Sequence, residues 1–312
     1  MAKVKTFKTI FPAVSVPLND DYSINEPEFR AYLRWIKTFY GKGMDGLVCN
    51  GHTGEITGLT RAERKRVVEI CAEECGDVMT IISGVNCENT AESIEMAKEA
   101  KEAGADGILL MPPHMWLRFG MNPDAPFEYV KDVAEGADID IIIHLYPATS
   151  KAFYPVETLI KMCKEIDHVK CIKMGTRVTS IYEHDVRLLR QECPDISLIT
   201  CHDETLCVSW FPGMDGALIG FAGCVPEIIC PAREVFANPD KHTLKEAQDW
   251  SDRIYHISQA IYGGGQPSGE AHARLKEALK QRGIFSSALM RKPVLPLNQE
   301  EKDWVALGLE RS

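Results

Sequence analysis

The stretch DGLVCNGHTGEITGLTRAERKRVVEICAEECGDVMTIISGVN, Asp45 to Asn86, decides the fold. It opens on a short apolar run, DGLVCNG, and closes on another, MTIISGVN, and the segment between them has helical period. In LTRAERKRVVEICAEE, Leu59, Val67, Val68 and Cys71 share one face, while Arg and Glu take the other. Thr60 with Glu63 has the capping-box spacing, in which the cap hydroxyl and the N3 carboxylate satisfy each other's free amides. Asn89 with Glu92 repeats that signal before the next helix. The reading is strand, helix, strand.

The same unit recurs along the chain. Apolar runs stand at 11–18 (FPAVSVPL), 45–51, 79–86, 106–112 (DGILLMP), 140–147 (DIIIHLYP), 169–175 (VKCIKMG), 196–203 (ISLITCHD) and 215–221 (DGALIGF). Continuous apolar strands separated by amphipathic helices imply a parallel sheet covered on its outer face. Eight of them predict a closed (β/α)8 TIM barrel rather than an open sheet. No GxGxxG follows the first strand, which weakens a dinucleotide-binding alternative. The barrel is expected over 1–224. The segment 225–312 is expected to hold the last barrel helix and a helical appendix packed on it as a single structural unit. Its helical stretches are TLKEAQDWSDRIYHISQAIY, SGEAHARLKEALKQRG and NQEEKDWVALGLE.

Composition bounds the partners. With 45% hydrophobic and 26% charged residues in 312, the chain can bury a large core. The net charge of -10 leaves no electrostatic footprint for nucleic acid. No window approaches the roughly 18 apolar residues of a membrane span, and MAKVKTFKTIFPAV lacks an apolar signal core. A cytoplasmic protein acting on a small molecule is expected. The eleven cysteines read as reduced core residues. Cys71 and Cys75 have helical spacing, but no CxxC or histidine cluster accompanies them, so no metal is expected.

The sixth run raises a chemical question. On a strand of period two, Lys170 and Lys173 face opposite sides. One of them points inward, where an unpaired ammonium is costly enough to favour the neutral amine. Lys173 lies near the strand's C-terminal end, where barrel enzymes assemble their sites. Strand 2 ends there in NGHTGE and strand 5 in HLYP.

These residues resemble the dihydrodipicolinate synthase and N-acetylneuraminate lyase family of class I aldolase-type enzymes, from about Phe11 to RKPVLPLNQEE. GHTGEITGLTRAERKRVVE is similar to the family's GxTGE loop and helix start, Tyr146 stands near the end of strand 5, and Lys173 sits in an xIKx strand. The resemblance implies a Schiff base between Lys173 and a 2-keto acid, proton relay by Tyr146, and carboxylate binding by Thr53 with its neighbouring amides. It implies no cofactor beyond the lysine, and a homotetramer built as a dimer of dimers. The chemistry agrees: a lysine attacks a ketone only as the neutral amine, which apolar neighbours favour. Gly51 and Gly54 would let backbone amides approach a carboxylate.

Several residues keep a second reading. Lys173 also reads as a structural lysine snorkelling to the barrel mouth, and Tyr146 as a core aromatic. Glu55 reads as a loop-fixing acceptor. His144 shares the inward parity of Tyr146 and reads first as a satisfied core histidine, second as the floor of the site. The chain also departs from the family. His52 stands where the family has a second Thr or Ser, and Pro113 and His114 replace a tyrosine pair, so the hydroxyl relay is broken and His52 is the expected substitute. The segment after Tyr146 lacks the family's arginine, and Lys151 falls near its offset. Gly223 replaces an asparagine, leaving backbone near Leu218 to approach the keto acid. Trp116 and Phe119 are expected at a subunit contact. A keto-acid-sensing barrel and a metal- or phosphate-dependent barrel, hinted at by His202 and Asp203, are the other readings. The expected function is a lyase on a 2-keto acid, either a pyruvate-releasing aldolase or a dehydratase or deaminase of a 2-keto-3-deoxy sugar acid. The alternative is the synthase that condenses pyruvate with aspartate semialdehyde, which needs a cationic clamp this chain lacks in sequence.

Overall fold

The computed structural model describes residues 3–263 and 269–312. Each apolar run supplies one short strand: β1 Ile10–Pro12, β2 Gly46–Cys49, β3 Thr80–Val85, β4 Gly107–Leu110, β5 Asp140–His144, β6 Val169–Met174, β7 Ser197–Thr200 and β8 Gly216–Ile219. All ladders are parallel, in the order β1-β8-β7-β6-β5-β4-β3-β2. A bridge from Ala13 to Val48 brings β1 against β2 and completes the (β/α)8 barrel. The runs over-reach their strands because the loops leaving a barrel mouth are themselves buried: Val14, Val16 and Leu18 lie beyond β1 yet are in the core.

The helices form where cap and period agree. Thr60 and Glu63 make the reciprocal capping box of helix Arg61–Cys75, whose buried face includes Val67, Val68, Ile70, Cys71 and Cys75. Asn89 caps Thr90–Glu102 only from one side. Its Oδ1 accepts from the Glu92 amide, while the Glu92 carboxylate takes a bond from the Asn89 side-chain amide. Cys71 and Cys75 face the core, and Cys75 Sγ donates to Leu33 O. Among the described residues no helix is long and apolar enough to cross a membrane, and no group of three His, Cys, Asp or Glu is placed to hold a metal ion.

After β8, helices Leu244–Tyr262, Gly269–Gln281 and Gln299–Glu310 pack on the barrel; Ser268, at the start of the second expected stretch, lies outside the described residues. Their attachment reaches the barrel mouth. Lys276, 1% exposed, donates to Leu289 O and forms an ion pair with the buried Glu55 of the loop after β2. The Glu55 carboxylate also accepts from the Arg291 amide, and Arg291 donates to Gly58 O and pairs with Glu63. Glu55, at φ 57°, is thus held in left-handed backbone by contacts from the C-terminal segment.

Removing one partner of a buried ion pair leaves an uncompensated charge. Lys276→Met should therefore lower stability by about 3–5 kcal/mol in urea titration, and adding Glu55→Gln should recover much of that loss. A single variant as stable as the parent would show that the pair does not tie the appendix to the loop.

Candidate active site

The parity argument sorts the lysines. Lys170 is exposed and donates to Asp167 O at 2.6 Å. Lys173 turns inward at the C-terminal end of β6, and its register partner across the ladder is His144, the last residue of β5. The lysine stem is partly open, but its amine sits deep enough that desolvation lowers its pKa; Cys201 and the Asp203 carboxylate oppose that shift and Arg177 adds to it. Among the described residues no carboxylate lies within ion-pair distance of it. Its neighbour is an imidazole: Lys173 Nζ stands 3.2 Å from His144 Nε2. His144 is 7% exposed, and its Nδ1 is buried with no hydrogen-bond partner. A satisfied core histidine is therefore not what the fold contains; His144 forms the floor beneath the lysine.

Tyr146 lies two residues beyond β5, in the loop, and its hydroxyl is engaged elsewhere. It meets His114 Nε2 at 3.1 Å and His52 Nε2 at 3.3 Å. Asn86 Nδ2 also approaches His114 Nε2, at 3.1 Å. The Tyr146 hydroxyl thus meets two imidazole nitrogens at the place where the sequence reads as a broken hydroxyl relay. Sequence reasoning had enlisted His52; it missed His114 and Asn86, whose only signal was a histidine where the family has a tyrosine.

Burial sets the protonation of this cluster. Desolvation, then the Lys173 charge, lowers the His52 pKa to about 3, and the same two causes hold His144 well below its ordinary range. The Tyr146 hydroxyl is pushed up, chiefly by burial. His52 and His144 are thus neutral rather than cationic.

The remaining expected residues fall into two groups. Thr53 lies at the mouth, where a Cβ built on Gly220 would come within 3.2 Å of Thr53 Oγ1 and 2.6 Å of Tyr262 Oη. Gly220 rather than Leu218 is therefore the β8-side backbone facing Thr53; Leu218 is a buried wall residue paired with Phe11. Gly54 is sterically required, since a Cβ there would sit 3.1 Å from Val14 O, whereas Gly51 has room for one. Gly223 faces away from the site, against the Tyr32 hydroxyl that donates to its carbonyl. Lys151 is exposed and donates to Arg118 O, so its loop brings no cation to the site. Trp116 turns into its own chain against Tyr129 and Tyr154, leaving Met115, Leu117 and Phe119 exposed. The loop helix is too short to turn all its aromatics outward.

After β7, Asp203 accepts from the Gly220 and Phe221 amides and holds the β8 exit; burial raises its pKa to about 6. Arg177 donates to Gly175 O and pairs with Glu204. A cavity of about 610 Å³ opens behind that pair, lined by Tyr182, His202, Thr205 and Phe211 but not by Lys173. Cavity size therefore does not mark the chemistry here; the buried amine and its imidazoles do.

Comparison with known proteins identifies the family and the fold. The Dihydrodipicolinate synthetase family matches residues 6–311. A 4-hydroxy-tetrahydrodipicolinate synthase of Bartonella bacilliformis is 26% identical over 307 residues, covering 98% of each chain. A prophage protein of the dihydrodipicolinic acid synthase family from E. coli K12, solved with pyruvate, superposes with a TM-score of 0.86 at 20% identity, covering 98% of each chain. A monomeric dihydrodipicolinate synthase variant gives a TM-score of 0.86 at 18% identity, covering 98% of this chain and 96% of that one.

The neutral histidines carry a pH signature. His52, His202 and His272 have folded pKa values of about 3, 4 and 4 against 6.5 unfolded, each lowered first by burial. Between those limits the unfolded chain binds protons that the fold refuses, so stability falls as pH drops below 6.5, by up to about 1.4 kcal/mol per pH unit for each histidine. Urea midpoints at pH 7 and pH 5 should show this, and His272→Gln should lose less over the same interval. Equal losses in the parent and the variant would contradict the assignment.

Proposed function

Because the chain belongs to the dihydrodipicolinate synthetase family and is a lyase of that family, we propose that Lys173 forms a Schiff base with a 2-keto acid. The observation that carries this reading is the buried, carboxylate-free amine at the C-terminal end of β6, set against an imidazole. A neutral amine attacks the keto carbon, and the resulting iminium is the electron sink. When the bond between C3 and C4 breaks, its electron pair enters the iminium to give an enamine, which takes a proton at C3 and is hydrolysed to pyruvate. Loss of a C3 proton and of a hydroxyl or amino group at C4 uses the same sink. The lysine supplies what a cofactor would, so none is needed.

Thr53, His52 and the Gly51–Gly54 turn suit the keto acid's carboxylate, and Tyr146 between two imidazoles suits proton movement near the reacting carbons. Aldehyde condensation is disfavoured, because Lys151 points outward and Arg177 is spent on Glu204 and main-chain carbonyls. The name of the Bartonella relative favours the synthase as the second reading. Eleven free cysteines fit a reducing compartment, the cytoplasm. Exposed Met115, Leu117 and Phe119 in one short helix support self-association into a homotetramer.

Pyruvate with borohydride should leave a stable adduct on Lys173 by mass spectrometry. Lys173→Ala should abolish it, while Lys170→Ala should keep both adduct and turnover. No adduct, under conditions that trap a control aldolase, would sink the reading. Tyr146→Phe should cut turnover by roughly 10²–10⁴ while trapping persists. In a coupled screen, 2-keto-3-deoxy sugar acids should outrun aspartate semialdehyde, and the reverse order would favour the synthase. Sedimentation at micromolar concentration should show an oligomer, and a monomer would contradict that part.

A further inference from the structure

We propose that His144 is a catalytic acid and base at Lys173, moving the proton between the lysine nitrogen and the departing keto oxygen. The assignment deepens the Schiff-base reading and rests on it.

Three observations lead here. His144 and Lys173 are opposite each other in the β5–β6 ladder, so the backbone itself sets the 3.2 Å contact between Nε2 and Nζ. Residues on adjacent strands of a barrel hold such a distance more rigidly than loop residues do. The other ring nitrogen, Nδ1, is buried without a partner. A buried polar group without a protein partner is left to a water, a ligand or a functional role. The Tyr146 hydroxyl meets two other imidazoles, at 3.1 and 3.3 Å, and leaves His144 alone against the amine. Tyr146 stands one step behind, with its ring 4.9 Å from that of His144.

The environment suits a transient proton carrier. Burial keeps His144 neutral, and with Lys173 Nζ as the donor of their contact Nε2 is the unprotonated nitrogen. The groups around it are Lys173 on β6, Arg177 after β6, His52 after β2, His114 after β4 and Tyr146 beyond β5. None of these is an anion that would trap an imidazolium. In the step itself, the amine lone pair forms the bond to C2 and the carbonyl π electrons move to oxygen. The nitrogen, now cationic, gives one proton to His144 Nε2, which hands it to the oxygen to give a carbinolamine. A second proton, from solvent, lets the oxygen leave as water while the nitrogen lone pair forms the C=N bond. The iminium keeps one N–H and the positive charge.

The test is the rate of pyruvate trapping on Lys173 under saturating borohydride, in quenched-flow samples read by mass spectrometry. His144→Gln and His144→Ala, checked for fold by circular dichroism, should trap roughly 10²–10⁴-fold more slowly than the parent. Free imidazole should restore much of the rate in His144→Ala, whose cavity admits it, and not in His144→Gln. Lys170→Ala, on the outer face of the same strand, should trap at the parental rate. In the parent protein, the nitrogen-15 signal of His144 Nε2 should move when the adduct forms, a readout that does not depend on any variant folding. Trapping by His144→Gln at the parental rate or an unmoved His144 signal would each overturn the assignment. A parent protein that takes no adduct would strike the Schiff-base reading itself, a distinguishable result.

Discussion

The desolvation of one amine organises the functional end of this barrel. An ammonium withdrawn from water without a counter-charge is expensive, and the fold supplies no carboxylate within ion-pair distance of Lys173 among the described residues. It surrounds the amine with neutral imidazoles instead. Desolvation and the lysine's own field hold His52 and His144 unprotonated, and they in turn add no charge that would pin the lysine as a cation. The mutual suppression of charge is the condition for a nucleophilic lysine.

Rigidity at the mouth has a separate source. The loop after β2 carries His52 and Thr53, and loops of this kind are ordinarily the least constrained part of a barrel. Here its Glu55 is caught by Lys276 and by the Arg291 amide, both from the C-terminal segment. Tyr262 and Ser258, on helix Leu244–Tyr262, meet Asp203 from the other side, and Asp203 orders the exit of β8. The helical appendix thus braces both sides of the site without contributing the reacting group.

Membership in the family settles the barrel and the class of enzyme, while the replaced residues lie where substrates are told apart. Hydroxyls give way to His52 and His114, and the loop after β5 offers Lys151 to Arg118 rather than to a ligand. A neutral imidazole accepts or donates by tautomer, so the exchange keeps hydrogen-bonding groups at the Tyr146 hydroxyl.

Much of this was legible from the chain alone. The period of the apolar runs gave eight parallel strands, Thr60 and Glu63 marked a helix start, and strand parity separated Lys173 from Lys170, because these depend on local geometry with a fixed repeat. Side chains on loops have no such repeat. His114 reaches Tyr146 across 32 positions, Trp116 turns inward, Lys151 turns out and Gly223 meets Tyr32, all through loop paths that no local period specifies. His144 is the intermediate case. Its parity was readable, but its contact with Lys173 depends on the register between two strands whose residues are 29 apart, and register is decided only when the barrel closes and every strand must pair at once.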